Sequence, residues 1–420
     1  MDIVYGFFAS PRYWKDPDQL TQAYESLSAP LPGEIKHHLV TGQEDLNGLP
    51  QGDLLVVVPM SGAVQKLILS AAENYSGVIL YPAYITGNAS PQLEEAMLYR
   101  NAAPTLMDCW AVLRRTHPRC SLALDREKLD RAIRLYRAWQ EVRSAKIILI
   151  GDTEPWVISN AHDLSAYEKR FGLTMERVSQ EEIARKYQAA TRQEGEPYYR
   201  HFTAKSQKCL EPSQEDLWNA ARMAHALIQV MEEHQAQGCA LACFNLLSQG
   251  TNLCLGVSYI NDCTPMVASC EGDVDSAITM LMMKKLSSTK PWMANPGLQN
   301  DGTINFSHCT APIAPISGDC PCTLRSHHES GIGVSLQVDI PAGQVVTAGR
   351  ISNNASQITI HRGTTLPGEY QCACRTQLYV KLEEMDHYLD TALGCHQVFV
   401  FEDITGDLKK LAGFFGLEIL

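Results

Sequence analysis

Two patterns of apolar residues alternate along the first third of this chain. Continuous runs rich in β-branched residues are typical of strands that are buried on both faces of a parallel sheet. These runs occupy 3–8, 53–59 and 77–82. Apolar residues with a helical period lie between and after them, at 62–74, 91–102 and 125–145. The alternation predicts one layered α/β domain over residues 1–145.

A second unit of the same kind begins with the apolar run 146–152. Capping boxes at Ser179 and Ser213 predict helices that end near Ala190 and Gln235. A strand over 240–244 and a helix after Glu271 complete the unit. The predicted second α/β domain therefore covers residues 146–290.

Beyond residue 296, short alternating runs separated by Gly, Pro and Asn replace the helical pattern, which is typical of an antiparallel barrel or sandwich. The runs lie at 334–338, 344–351, 357–361 and 377–380. A strand over 397–401 and a helix over 403–415 follow. The predicted fold class is α/β, with two Rossmann-like domains followed by a β-rich, antiparallel barrel-like domain over 291–420.

Composition limits the classes of function. A chain of 420 residues exceeds what one hydrophobic core usually supports, which agrees with several domains. A net charge of -12 argues against a nucleic-acid-binding surface, because phosphate contacts need clustered Lys and Arg. The start Met1–Gly6 lacks the features of a signal peptide, and no apolar run reaches the length of a membrane span. We therefore predict a cytoplasmic protein with no nucleic-acid or membrane partner.

Fourteen cysteines in such a chain are interpreted as thiols in a reducing compartment rather than as disulfides. Two Cys-x-Cys pairs, Cys320/Cys322 and Cys372/Cys374, could supply four thiolates to zinc. Structural zinc sites usually place two to four residues between such ligands, so the spacing disfavours this interpretation.

Candidate chemistry centres on Cys270-Glu271-Gly272-Asp273, which ends an apolar segment and precedes a predicted helix. The next apolar segment ends at Asn295. The pattern predicts two neighbouring strand ends that face one crevice, where carboxylates would meet a cation, a proton or a sugar hydroxyl. In the alternative interpretation, Glu271 and Asp273 only begin the helix, where acids favour the positive end of its dipole.

Further candidates lie in loops. Gly151 to Trp156 follows a predicted strand at the edge where open α/β sheets bind ligands, although a simple turn with a packed Trp156 explains it equally well. The absence of G-x-G-x-x-G removes the dinucleotide-binding interpretation. His308 and His396 stand beside predicted strands in the last domain, and a lone histidine is more often structural than a ligand.

In combination, the stretch around Glu271, the segment ending at Asn295, Ser307-His308-Cys309 and Gly394-Cys395-His396 resemble the L-fucose isomerase/L-arabinose isomerase superfamily. The short fucose isomerase-like branch is the most similar, and the resemblance covers the whole three-part layout. It implies a divalent cation, usually manganese, held by a Glu, an acidic residue about 24 positions later and a His near the C-terminus. Glu271 and His396 match two of these, whereas Asn295 stands at the acidic position.

Asn295 keeps an oxygen for a hard cation but brings no charge and accepts no proton. Asp273 is the nearest carboxylate that could substitute, and His308 could supply a ligand or bind a sugar hydroxyl. The resemblance implies aldose-ketose isomerisation of a small sugar through an ene-diol, with Glu271 as base and ligand. The alternative is a sugar-binding or sensor protein that kept the fold and lost the acid/base pair.

The resemblance also implies a homo-oligomer whose active sites lie between subunits. Arg12 follows the first predicted strand at a ligand-facing edge. It could meet a cluster of hydroxyls or an anionic group such as a phosphate or sulfonate, or form a surface salt bridge. The sequence does not identify the sugar.

Overall fold

The computed structural model describes residues 1–31, 33–85, 89–160 and 163–420. Contacts within the chain divide it into two compact units, Met1–Gln140 and Glu141–Leu420. The predicted three-domain division, with boundaries at 145 and 290, stays a prediction.

The unit Met1–Gln140 is built on a five-stranded parallel sheet in the order β2-β1-β3-β4-β5. Its strands are β1 Ile3–Phe8, β2 Lys36–Val40, β3 Leu54–Pro59, β4 Gly77–Leu80 and β5 Cys120–Leu122. The helices are α1 Pro17–Ser28, α2 Gln65–Ala72, α3 Pro91–Tyr99, α4 Ala102–Thr116 and α5 Arg126–Arg143, the last of which includes the boundary between the units. Every residue of β3 and β4 is buried, as their continuous apolar runs predict.

The unit Glu141–Leu420 begins with a four-stranded parallel sheet in the order β10-β9-β6-β7. Its first strands are β6 Lys146–Ile150, β7 Thr174–Val178, β8 Lys208–Cys209, β9 Gly238–Leu241 and β10 Val267–Ser269. Its helices are α6 Ser165–Phe171, α7 Gln180–Ala189, α8 Arg192–Lys205, α9 Gln214–Glu233, α10 Cys254–Cys263, α11 Val274–Leu286, α12 Met385–Asp390 and α13 Thr405–Phe414. The capping box predicted at Ser213 is formed with Asp216, whereas Ser179 precedes α7 without a capping hydrogen bond from its side chain.

A closed antiparallel barrel follows. The remaining strands are β11 Trp292–Leu298, β12 Ile304–His308, β13 Cys322–Arg325, β14 Ser335–Val338, β15 Val345–Ser352, β16 Gln357–Leu366, β17 Thr376–Leu382, β18 Gln397–Val400 and β19 Glu418–Ile419. Six of them pair in the order β15-β18-β11-β12-β17-β16, and the pairing of β16 with β15 closes the barrel. Apolar side chains that include Trp292, Phe306 and Phe399 fill its core.

The predicted α/β fold class with a barrel-like final domain is confirmed. The strands β8, β13 and β14 form a separate small sheet, which was not predicted. Within the described ranges, no helix combines the length and the apolar character that crossing a membrane requires.

Candidate active site

Glu271 lies in a tight turn that connects β10 to α11. Glu271 and Gly272 both adopt left-handed backbone conformations, with φ of 60° and 64°. Residues that have side chains rarely adopt this conformation, and those that do cluster at functional sites. A Cβ on Gly272 would lie 2.5 Å from the carbonyl oxygen of Asp152, so glycine is required at this position.

The loop after β6 is tied to this turn by hydrogen bonds. The backbone N–H of Glu154 donates to the carbonyl oxygen of Glu271 at 3.0 Å, and Oγ1 of Thr153 donates to that of Gly272 at 3.0 Å. The indole N–H of Trp156 donates to Oε2 of Glu271 at 2.7 Å. These contacts fix the turn and one carboxylate oxygen, which leaves Oε1 for other partners.

Two imidazoles from the barrel strands face Oε1 of Glu271. This oxygen lies 3.8 Å from Nε2 of His308, the last residue of β12, and 3.5 Å from Nε2 of His396, which precedes β18. One ligand atom from each of the three residues lies within 4.8 Å of the other two. The side chains of both histidines are buried and that of Glu271 is 13% exposed, so the carboxylate is the member of the group nearest to solvent.

Each histidine ring is held by its other nitrogen. Nδ1 of His308 is hydrogen-bonded to Oγ1 of Thr310 at 2.9 Å, and Nδ1 of His396 donates to Oδ2 of Asp273 at 2.7 Å. Nε2 of His396 is buried and has no hydrogen-bond partner among the described residues. Buried polar atoms are nearly always paired, so this nitrogen is a candidate to bind a ligand beside Oε1 of Glu271, which lies 3.5 Å away.

The charges of this group are strongly coupled. Burial alone would raise the pKa of the Glu271 carboxyl, but the imidazoles of His308 and His396 hold it well below its usual range. Burial alone would lower the pKa of His396, but Asp273, Cys395 and Glu271 raise it well above its ordinary value. Glu271 is therefore ionised at neutral pH.

A fully buried ionic network holds His396 through its hydrogen-bond partner Asp273. Nη1 of Arg350, on β15, donates to Oδ2 of Asp273 at 2.7 Å and to the hydroxyl of Ser276 at 3.0 Å. Nη2 of the same guanidinium donates to Oδ1 of Asn160 at 3.1 Å. Asp273 also caps α11, because its Oδ1 accepts the backbone N–H of Ser276 at 2.8 Å. One carboxylate thus links the start of a helix, a buried arginine and a histidine of the site.

Asp275 is the second acid of this network. Its carboxylate accepts hydrogen bonds from the hydroxyls of Tyr167 at 2.7 Å and Ser352 at 2.9 Å, and it lies 3.7 Å from Nη2 of Arg350. Burial raises the pKa of Asp275 to about 7, although Arg350 opposes the shift. Burial would also raise the pKa of Asp273, but Arg350 and His396 hold it well below its usual range, so Asp273 carries the negative charge opposite Arg350.

Two imidazole nitrogens and one carboxylate oxygen form a donor set that suits several divalent metals. With bonds of about 2.1 Å, two ligand atoms lie about 3.4 Å apart on a tetrahedral ion and about 3.0 Å apart on adjacent octahedral positions. The observed separations of 3.5 and 3.8 Å need only small side-chain movements to match. The pairing of His396 with Asp273 is also the usual support of a metal-binding histidine. The three residues therefore fit a divalent cation.

Comparison with known proteins gives a consistent result at low identity. No protein-family model matches the chain. A protein named sulfoquinovose isomerase from Alkalicoccus urumqiensis is 20% identical over 415 residues, which covers 91% of this chain and 90% of that protein. Proteins of the same name from Priestia aryabhattai and Priestia megaterium are each 22% identical over 309 residues, 70% of this chain and 68% of theirs.

These relatives indicate an isomerase. Their names fit the sugar isomerase superfamily that the motifs resemble. The assignment to the short fucose isomerase-like branch stays a prediction.

One feature of the predicted site is wrong in its topology. Glu271 and Asn295 do not follow neighbouring strands of one sheet, because β10 belongs to the parallel sheet and β11 to the barrel. The strand β11 also continues past Asn295 to Leu298. The two segments nevertheless meet, since the backbone N–H of Cys270 lies 3.1 Å from the sulfur of Met293.

Asn295 stands between the two histidines in the order of the barrel strands. β11 pairs with β12 on one side and with β18 on the other, in registers that match Asn295 with Ser307 and Ala294 with Gln397. Extending each register by one residue places His308 opposite Ala294 and His396 opposite Asn295. A role for Asn295 as a ligand stays a prediction.

The other predicted residues differ in their surroundings. Asp273 is fully buried with both oxygens engaged, so it is not available to a substrate and acts on His396 instead. Trp156 is 51% exposed and packs edge-to-face on Phe244 at 4.9 Å, which gives the site an aromatic wall beside Glu271. Arg12 is an exposed residue of the unit Met1–Gln140, and its role stays a prediction.

Arg350 and Asp275 were not predicted as site residues from the sequence. A signal for Arg350 existed, because it is the one charged residue of the predicted strand 344–351, whose other members are apolar or uncharged. A charge within a strand that is otherwise suited to burial requires a buried partner. Asp275 gave no comparable signal, since acids near the start of a helix are ordinary.

Proposed function

We propose that this chain is an aldose-ketose isomerase that acts on a sugar derivative at the Glu271, His308 and His396 group. The observation that carries the proposal is the meeting of one ionised carboxylate with two oriented imidazoles at the end of β10. The similarity of nearly the whole chain to a sulfoquinovose isomerase supports it independently.

We propose that Glu271, His308 and His396 hold a divalent cation, with Asn295 as a further ligand. When bound, such a cation would polarise the sugar carbonyl and stabilise the negative charge of the ene-diol intermediate. The resemblance implies manganese, a metal that prefers oxygen ligands. The group has two nitrogen donors and one oxygen donor, so manganese stays a proposal that must be tested against zinc and cobalt.

The chain's own residues would move the proton. Glu271 is the proposed base, because it is ionised and is the most exposed member of the group. In the direction from aldose to ketose it would accept the proton from C2 and return it to C1. A carboxylate whose pKa is held this low is a weak base, so the reaction depends on a polarised carbonyl. Trp156 would hold Oε2 of Glu271 in place while the proton is transferred.

Sulfoquinovose, a hexose that carries a sulfonate, is the first substrate to test, because it gives the three relatives their name. An anionic sugar needs a cationic partner, and Arg12 is the proposed one. We further propose that the protein forms a closed homo-oligomer in the cytoplasm, in which active sites lie between subunits.

The proposed function is tested by solvent isotope exchange. Purified protein in deuterated buffer, with manganese, cobalt or zinc added singly after treatment with a chelator, is incubated with sulfoquinovose or with its neutral counterpart glucose. We expect metal-dependent deuterium incorporation next to the carbonyl, together with formation of the ketose, and faster reaction of the anionic sugar. Tight binding of a sugar without exchange under any metal would contradict an isomerase and favour the sensor.

Asn295→Asp tests whether one carboxylate is enough for isomerisation. We expect the variant to bind the cation more tightly, because it adds negative charge beside the proposed ligands, while turnover stays within about tenfold of the wild type if Glu271 is the only base. Calorimetric titration with manganese and steady-state kinetics measure the two effects. Asn300→Asp, which adds the same charge at an exposed turn, is the control. A rise in turnover of about 100-fold or more would mean that a second acid limits the reaction.

A further inference from the structure

A second group of metal-binding side chains shares no residue with the proposed active site. It consists of His201, in α8, with Asp262 and Cys263, the last two residues of α10. One ligand atom from each lies within 4.8 Å of the other two. Unlike the Glu271 group, this group contains a thiol.

The separation of two of its donors matches a zinc ion. Nε2 of His201 lies 3.7 Å from Sγ of Cys263. Zinc bonds of about 2.3 Å to sulfur and about 2.05 Å to nitrogen at a tetrahedral angle place these atoms about 3.6 Å apart. The separation of this pair therefore needs almost no change when one ion is bound.

Two of the three residues are already oriented. The carboxylate of Asp262 is buried, and its Oδ2 accepts the backbone N–H of Ile313 at 3.1 Å. The ring of His201 packs edge-to-face on Tyr259 at 5.1 Å. Cys263 is exposed, so the group can be reached from solvent. A site that is preformed on its buried side and open on the other can bind an ion without unfolding.

We propose that His201, Asp262 and Cys263 form a second metal site, suited to zinc, with its fourth position open to solvent. Thiolate and imidazole donors favour zinc over manganese, in contrast to a site without sulfur. Binding forms a zinc–sulfur bond and releases the thiol proton to solvent. The ion would link α8 and α10, and through Asp262 the segment at Ile313.

Cadmium is the probe, because its bond to a thiolate absorbs in the ultraviolet whereas its bonds to imidazole and carboxylate do not. The titration uses the full chain, reduced and metal-free, with Glu271→Gln as background so that the other group contributes less. We expect one cadmium per chain with the thiolate band, and competition by zinc. Cys263→Ser in the same background should lose the band and weaken binding by about tenfold or more.

Cys372→Ser is the matched control, since Cys372 is also exposed and belongs to a Cys-x-Cys pair that could bind cadmium instead. It should keep both the band and the affinity. His201→Gln provides a second test that leaves every thiol in place, and it should also weaken binding. A band that persists in Cys263→Ser, or that disappears only in Cys372→Ser, would overturn the proposal. Neither result depends on isomerase activity, so the proposed function can fail separately.

Discussion

Glu271→Gln is expected to abolish isomerisation, with a loss of about 100-fold or more in turnover, because one substitution removes both the proposed base and the charged ligand. Glutamine has almost the same shape, and its amide oxygen can still accept the indole N–H of Trp156. The fold should therefore persist while the chemistry fails. Steady-state kinetics with saturating metal measures the loss.

The same variant should bind the divalent cation far more weakly, which calorimetric titration of metal-free protein measures. Glu418→Gln, at an exposed residue of β19, makes the same chemical change outside the group and should leave both properties intact. Substantial activity of Glu271→Gln in the presence of metal would rule out Glu271 as the base. Unchanged metal affinity would rule it out as a ligand.

Arg350→Met is expected to cause the largest loss of stability. Removing a fully buried guanidinium leaves the carboxylate of Asp273 in the interior without its cation, and breaking a buried pair in this way costs about 3–5 kcal/mol. Asp273, the partner of His396, would also lose one of the groups that hold it, so affinity for the metal should fall as well. Denaturant unfolding followed by circular dichroism measures the free energy of unfolding.

Arg362→Met is the matched control on the adjacent strand β16. Arg362 also contacts two acids, Glu383 and Asp403, but its side chain is 38% exposed. Exposed ion pairs contribute about 0–1 kcal/mol, so this variant should remain close to the wild type. Equal losses in the two variants would show that the buried network is no more important than a surface pair.

The sequence predicted those parts of the fold that depend on short-range patterns. Continuous apolar runs predict the fully buried strands β3 and β4, and a capping box predicts the start of α9. Each of these patterns spans only a few residues. The edge strand β2 did not, because its sequence begins Lys36-His37-His38 and its first two residues are exposed. A strand whose side chains face solvent has no periodic pattern of apolar residues from which it could be predicted.

The candidate site shows the same limit at longer range. Glu271 and His396 were found from motifs and lie 3.5 Å apart in the structure. The sequence predicted that the strand ends at Glu271 and Asn295 are neighbours, whereas β10 and β11 belong to different sheets, because a strand's own pattern does not identify its partner. Arg350 lies 77 residues from Asp273 along the chain, and no local signal joins the two. Their pairing is fixed by the packing of α11, which Asp273 caps, against β15, which carries Arg350.

At position 271, the residue that activity requires differs from the residue that would be most stable, because the backbone there is left-handed. Glycine adopts this conformation without the penalty of about 1–2 kcal/mol that a residue with a Cβ carries. Two consecutive glycines would therefore adopt this turn with the least backbone strain, but that sequence has no carboxylate. A library of variants selected only for heat resistance should accumulate glycine at position 271 and become inactive as it becomes more robust.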